Sequence, residues 1–339
     1  MANRAAWLKE AKQKPFAIGD APMPTPEPHE VVIRLKAVAI NPVDAYVQQL
    51  GIIVQDYPTI IGSDGAGEIA AVGSDVKHLS VGDRVVGYCD AWDSHKPTNG
   101  AYQYYAATAA RVVSKLPDSV TFSQAAVLPL ALSTSGVGLF DKDHLALSYP
   151  QIDPKPNGKL VLVWGGSSSV GSCAIQLSQA AGYEVAAITS SRNAQYCKDL
   201  GASYTFEYTT PVEEIVKELS GKQCAGSYCA SQTPADIVKS AQIIEKLGGQ
   251  HVATVAAPGT AMPDEMPAGV KGSTFWGSFI TSKDSGDAIY TSYLYRALEN
   301  GSFKCKPDAR IVGKGLEAFQ PACDEMLKGV SASKLVVEL

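Results

Sequence analysis

The stretch 159–193, KLVLVWGGSSSVGSCAIQLSQAAGYEVAAITSSRN, limits what this chain can fold into more than any other. Leu160 to Trp164 is a short continuous apolar run rich in Val, the pattern of a strand buried on both faces. A glycine-rich turn follows, Gly165-Gly166-Ser167-Ser168-Ser169-Val170-Gly171, and then a helical pattern in which Val170, Ile175, Leu177 and Ala181 share one side. Gly182 stands just past its end, and Glu184 to Thr189 reads as a second strand that completes a βαβ unit. In such a unit a diphosphate sits on the free N–H groups at the helix N-terminus. Aligned to G-x-G-x-x-G the chain reads Gly166, Ser168, Gly171. Ser168 must therefore allow the close backbone approach with a small side chain, and it can add a hydroxyl donor. Glycine-rich turns also occur in sheets that bind nothing, but the spacing of strand, turn, helix and strand favours a cofactor.

The chain has 339 residues, enough for two domains and a sizeable core. A hydrophobic fraction of 45%, a charged fraction of 19% and a net charge of -5 fit a soluble enzyme and give no support for nucleic acid or a membrane surface. No apolar run approaches the ~20 residues of a membrane span. The N-terminus, MANRAAWLKEAKQKPF, lacks the apolar core of a signal peptide. Seven cysteines without a CxxC pair read as reduced thiols, so a cytoplasmic location is expected.

In chain order, residues 1–125 look β-rich. Glu30 to Ala39 alternates apolar and polar, preceded by an extended approach through Pro22, Pro24, Pro26 and Pro28. Further strands are expected at Gly67–Val72, Asp83–Gly87 and Gly100–Tyr105. Thr121-x-x-Gln124 matches a capping box, and Pro129 interrupts the helix before a second run from Ala131 to Phe140. His144 to Gly158 carries three prolines without periodicity and reads as an exposed loop. Strands at 204–208, 227–230, 251–256 and 275–279, interleaved with helices at 212–219, 234–246 and 285–300, predict a doubly wound parallel sheet. A last strand at 334–338 is expected to rejoin the first domain.

At this level of detail the chain resembles the medium-chain dehydrogenase/reductase superfamily over essentially its whole length. The marks are Asn41-Pro42-Val43-Asp44, Gly62-Ser63-Asp64-Gly65-Ala66-Gly67, Val81-Gly82-Asp83-Arg84-Val85, Gly100-Ala101-Tyr102, Leu128-Pro129-Leu130, the GGSSSVG turn and Ser333-Lys334-Leu335-Val336. The resemblance implies an α/β fold with two domains. One is a GroES-like β-rich catalytic domain, residues 1–125 and 302–339; the other is a Rossmann cofactor domain, 126–301.

Zinc-dependent members carry Cys-x-x-Asp where this chain has Asn41-x-x-Asp44, and Gly-His-Glu where it has Gly62-Ser63-Asp64. An amide and a hydroxyl are poor ligands for Zn²⁺, and no histidine falls at ligand spacing, so no metal is expected. The chain is then most similar to the quinone oxidoreductase and fungal trans-acting enoyl reductase branch. That implies an NADPH-dependent reductase of an activated C=C or a quinone. Asp44-Ala45-Tyr46 has the Asp-x-Tyr form of quinone oxidoreductases rather than the Asp-Trp-Lys of polyketide enoyl reductases. A metal-free carbonyl reductase and a non-catalytic NADPH-binding sensor or scaffold are the alternatives. The expected partner is a small apolar substrate, with the chain a monomer or homodimer.

Asn41, Asp44 and Tyr46 are the catalytic candidates, expected where a zinc enzyme holds its metal; equally, Asn41 and Asp44 can cap a turn and Tyr46 can be a rim aromatic. For the cofactor, the candidates are Gly166, Ser167, Ser168, Ser169 and Val170. By resemblance, Thr134 lies near the nicotinamide carboxamide, Phe279 and Ile280 lie where relatives run backbone past that ring, and Tyr208 flanks the adenine. Thr134 is alternatively a helix hydroxyl bonding to a carbonyl, Tyr208 a packing residue, and Phe279, like Phe275 and Trp276, a core aromatic. Twenty-four positions after Gly166 come Ser190, Ser191, Arg192 and Asn193, with no carboxylate. Two hydroxyls and a guanidinium suit the 2′-phosphate of NADPH, where an NAD enzyme usually places Asp or Glu; a solvated loop arginine is the other reading of Arg192.

Overall fold

The computed structural model describes residues 2–90 and 93–339. Contacts divide the chain into two units, Met1–Leu130 with Tyr290–Leu339, and Ala131–Ile289. The expected joins at 125/126 and 301/302 thus fall at 130/131 and 289/290.

The first unit opens with β1 (Arg4–Leu8) and β2 (Ala17–Asp20), then β3 (Glu30–Ala39) and α1 (Pro42–Leu50). After β4 (Thr59–Ile60) come β5 (Asp64–Val72), β6 (Arg84–Tyr88), β7 (Tyr105–Ala109) and β8 (Val113–Lys115). β3 pairs antiparallel with β5 and β7, burying its apolar residues while Glu30, Arg34 and Lys36 stay half-buried. The strand expected at Gly100–Tyr105 begins only at Tyr105. Gln103 explains the offset: its amide turns back to the carbonyls of Pro97 and Gly100, and Tyr102 is drawn inward to stack on Phe319 at 4.0 Å. The capping box closes α2 (Phe122–Ala125), with Gln124 N–H donating to Thr121 Oγ1 at 3.2 Å. α3 (Pro129–Phe140) follows. By length and composition 122–140 could cross a membrane, contrary to expectation, but 78% of its most apolar window is buried inside the protein.

The second unit is a six-stranded sheet, built from β9 (Lys159–Trp164), β10 (Glu184–Thr189), β11 (Tyr204–Glu207), β12 (Gln223–Cys229), β13 (His251–Thr254) and β14 (Lys271–Thr274). All its pairs are parallel, in the order β11-β10-β9-β12-β13-β14. Counted from β9 this is 3-2-1-4-5-6, the doubly wound dinucleotide order, with its switch point between β9 and β12. α4 (Ser169–Ala180), α5 (Ala194–Asp199), α6 (Val212–Glu218) and α7 (Pro234–Lys246) supply the crossovers. α4 is buried nearly all round, including Ser172, Gln176 and Ser178, rather than along one stripe. The strand expected at 275–279 is instead Lys271–Thr274; an edge strand paired on one side tolerates polar residues, whereas Phe275 lies in the core and Gly277–Ser282 forms a 3-10 turn. The loop after α3 is irregular as expected but not wholly exposed, since Leu145 and Leu147 are buried.

The expected helix at 285–300 is present, widened to π-type over Asp287–Leu294. Beyond it the chain adds β15 (Asp308–Lys314), α8 (Phe319–Met326) and β16 (Ser333–Glu338) to the first unit. β16 pairs antiparallel with β3, so the last strand does rejoin the first domain.

Two histidines of the second unit share one hydroxyl: His144 Nδ1 lies 2.9 Å and His251 Nε2 2.7 Å from Ser273 Oγ. Burial holds both imidazoles below their ordinary pKa. Asp141 and Asp143 oppose this at His144 and Lys283 reinforces it; His144 and Lys271 reinforce it at His251. The unfolded chain therefore binds these protons first, and stability falls as pH drops through about 6.5. His251→Gln keeps a partner for Ser273 without titrating. The Tm of the wild type relative to this variant should fall between pH 7.5 and pH 5. A constant difference in calorimetric scans would show that the pair does not titrate.

Candidate active site

The turn between β9 and α4 is built by backbone sterics. A Cβ on Gly171 would lie 2.2 Å from Gly165 O, so the first turn of α4 can pack onto the strand end only with glycine there. Ser168 is the N-cap: its Oγ accepts from Gly171 N–H at 3.0 Å and donates to Gly165 O at 2.8 Å. The hydroxyl's one proton is thereby used within the turn, so the expected donor at Ser168 is not available to a ligand. The N–H groups of Ser169 and Val170, first in α4, have no acceptor inside the helix, which is the condition that anion binding at a helix start requires. Ser167 Oγ accepts from Thr189 Oγ1 and Asn193 Nδ2, each at 3.0 Å, which ties the turn to the end of β10. This cradle of small residues and orphan donors at a switch point fits a dinucleotide diphosphate.

Past β10, Ser190 is half-buried and Ser191 and Arg192 are exposed. Tyr208 follows β11, 40% exposed, with its ring 5.7 Å from that of Trp164. Lys239 of α7, which sequence reasoning missed, donates to Tyr208 O at 2.7 Å and lies 5.9 Å from the Trp164 ring. No local motif marks it. Thr134 is buried on α3 against the Gly277–Ser282 turn; a Cβ on Gly277 would sit 2.3 Å from its Oγ1. Thr134 and the turn bearing Phe279 and Ile280 are thus brought together, with Phe279 half-buried and Ile280 fully buried.

In the first unit a second cluster forms around Asn41, the N-cap of α1. Its amide nitrogen donates to Asp64 Oδ2 at 2.9 Å, and its amide oxygen accepts from Lys334 Nζ. Lys334 also pairs with Asp64 Oδ2 at 3.1 Å, and Asp64 Oδ1 accepts from Leu130 N–H at 2.6 Å. All three side chains are buried. Asp44 accepts from the Asn41 backbone N–H at 2.8 Å through Oδ2, so the turn-capping reading of this pair holds; its Oδ1 has no hydrogen-bond partner among the described residues. Tyr46, also on α1, is 47% exposed and takes no part in these hydrogen bonds. In the sequence Asp64 and Lys334 stand out only as family marks. The available signal was a lysine at the head of the apolar run Leu335-Val336-Val337, where burial demands a counter-charge.

Among the described residues no three His, Cys, Asp or Glu side chains come together as a cation site. Residues 27–118 match the alcohol dehydrogenase GroES-like domain, and residues 169–292 the zinc-binding dehydrogenase domain. Dehydrogenase orsE of Emericella nidulans is 39% identical, with 99% of both chains covered. Trans-enoyl reductase himH of Aspergillus japonicus is 36% identical over 99% of this chain and 97% of its own. A solved alcohol dehydrogenase superfamily protein from Novosphingobium aromaticivorans superposes with a TM-score of 0.81 at 25% identity, 99% of each chain being covered. The chain belongs to the medium-chain dehydrogenase/reductase superfamily. It is an oxidoreductase with a nicotinamide-cofactor domain.

Burial raises the Asp44 carboxyl to about 7, and the Asp64 charge adds to this; the Asn41 backbone N–H, Lys334 and the Asn41 side chain pull the other way. The native state therefore holds this proton more tightly than the unfolded chain, and stability is lost as pH rises from about 4 through 7. Asp44→Asn removes the titration while leaving an acceptor for Asn41 N–H. Its stability relative to wild type in urea unfolding should increase from pH 5 to pH 8, by up to about 1.4 kcal/mol per pH unit. A pH-independent difference would rule out a titrating Asp44.

Proposed function

We propose that the enzyme is an NADPH-dependent, zinc-independent reductase of activated C=C bonds or quinones. The observation that carries this reading is the Asn41–Asp64–Lys334 cluster. By resemblance Asn41 stands where zinc members place a cysteine ligand, and its amide is engaged by a carboxylate and an ammonium. The likeness to a trans-enoyl reductase supports the enoyl side of the reading.

A bound nicotinamide coenzyme supplies a hydride. Ser169 and Val170 N–H would hold its diphosphate, Ser190, Ser191 and Arg192 its 2′-phosphate, and Thr134 with the 277–282 turn its nicotinamide end. Hydride addition at the β-carbon of an enone moves negative charge onto the carbonyl oxygen, and donors must meet that charge as it forms. Asn41 Nδ2 retains one N–H beyond its bond to Asp64, and Tyr46 offers a phenol. The α-carbon then takes a proton from Tyr46 or from water. Since water suffices for an enolate, no single acid is obligatory, and Tyr46→Phe should lower kcat in a graded way with NADPH affinity unchanged.

The deciding experiment incubates the purified enzyme, with and without chelator, with NADPH and panels of enones, quinones and ketones. Chelator-resistant turnover of enones or quinones supports the reading. Turnover of ketones alone assigns a carbonyl reductase, and NADPH binding without turnover assigns a sensor or scaffold. For the coenzyme, Arg192→Ala should raise the Kd for NADPH roughly tenfold, the ~1–2 kcal/mol of a partly exposed charge-assisted contact, while leaving NADH unaffected. Equal effects on both would remove Arg192 from the phosphate site.

A further inference from the structure

Lys334 is a buried ammonium that the reaction just described does not use. An amide can face it in only one sense, because ammonium only donates and carboxylate only accepts. Asn41 meets Lys334 Nζ with its oxygen and Asp64 Oδ2 with its nitrogen, the latter at 2.9 Å. Turning the amide over would set donor against donor and acceptor against acceptor. Its second N–H bond is therefore fixed in direction. The Lys334 hydrogen bond to the amide oxygen also draws electron density from Nδ2 and strengthens both N–H groups as donors. Asp64 holds Lys334 in place at 3.1 Å and is itself held by Leu130 N–H.

We propose that Lys334 is a positioning residue, which orients and polarises the Asn41 amide as the donor to the acceptor's carbonyl oxygen. The role in turnover rests on the functional reading above. The three residues come from the start of α1, the start of β5 and β16, so three separate stretches of chain converge to set one amide.

The test compares Asn41→Ala, Lys334→Met and their combination with wild type. Because Lys334→Met alone strands a buried carboxylate, a neutral pair, Asp64→Asn with Lys334→Met, is made as well. Lys334→Met and the neutral pair should each lower kcat by up to ~10² with the NADPH Kd unchanged. The combination with Asn41→Ala should be no slower than Asn41→Ala alone, since both remove one interaction. In ¹⁵N NMR spectra, the side-chain amide protons lost in Asn41→Ala should shift upfield in Lys334→Met. Additive losses in kcat, wild-type kcat in the neutral pair, or unmoved amide signals would overturn the proposal. An unfolded neutral pair would assign the cluster to folding and overturn it too. Should the wild type reduce no enone, quinone or ketone, the functional reading falls, and the NMR shift alone decides whether Lys334 sets the amide.

Discussion

One ammonium, Lys334, is shared between a carboxylate and an amide inside the first unit, and much of that unit's arrangement can be traced to it. An ion taken out of water costs several kcal/mol unless its partners are well placed, and a chain gains little net stability from a buried pair of this kind. Placing Asp64 and Asn41 around Lys334 requires β16 to run back between β15 and β3, where Val336 to Glu338 pair with β3. It also requires β5 to begin at Asp64, whose second oxygen takes Leu130 N–H. The apolar packing around Phe319 and Tyr102 makes the return of the chain favourable.

The same cluster explains the odd position of Asp44. Two buried carboxylates lie near a single ammonium, and the one in contact with it is Asp64. Asp44 makes no ion pair with that ammonium, and burial outweighs the pull of the Asn41 backbone N–H, Lys334 and the Asn41 side chain, so its carboxyl is raised to about 7.

Much of this was legible in the sequence, and the reasons differ by element. The βαβ turn was readable because its constraint is steric and local: glycine at 171 answers to a carbonyl 2.2 Å from where a Cβ would stand. β10 and α7 carry strong periodic signals and fall where expected. β14 and β15 were not readable, because each pairs on one side only and needs no apolar pattern. Asn41 and Asp44 were visible as a motif, but their partners lie 23 and 293 residues from Asn41, a separation no local pattern encodes. Lys239 is hidden for the same reason, since only the crossover geometry carries it to Tyr208.

In the zinc-independent reaction proposed above, this cluster changes how charge can be stabilised. A divalent cation acts as a point charge whose potential falls with distance. Lys334 paired with Asp64 is closer to a dipole, whose field falls more steeply, so little of it reaches an oxygen that is not in contact. The stabilisation must then be delivered by direct hydrogen bonds, and the quality of one oriented amide matters more than the size of the buried charge. An acceptor whose enolate is already stable asks for little more than that. A simple ketone, whose alkoxide concentrates the charge on one oxygen, asks for much more. On these grounds the polar group around Asn41 suits conjugated acceptors better than isolated carbonyls.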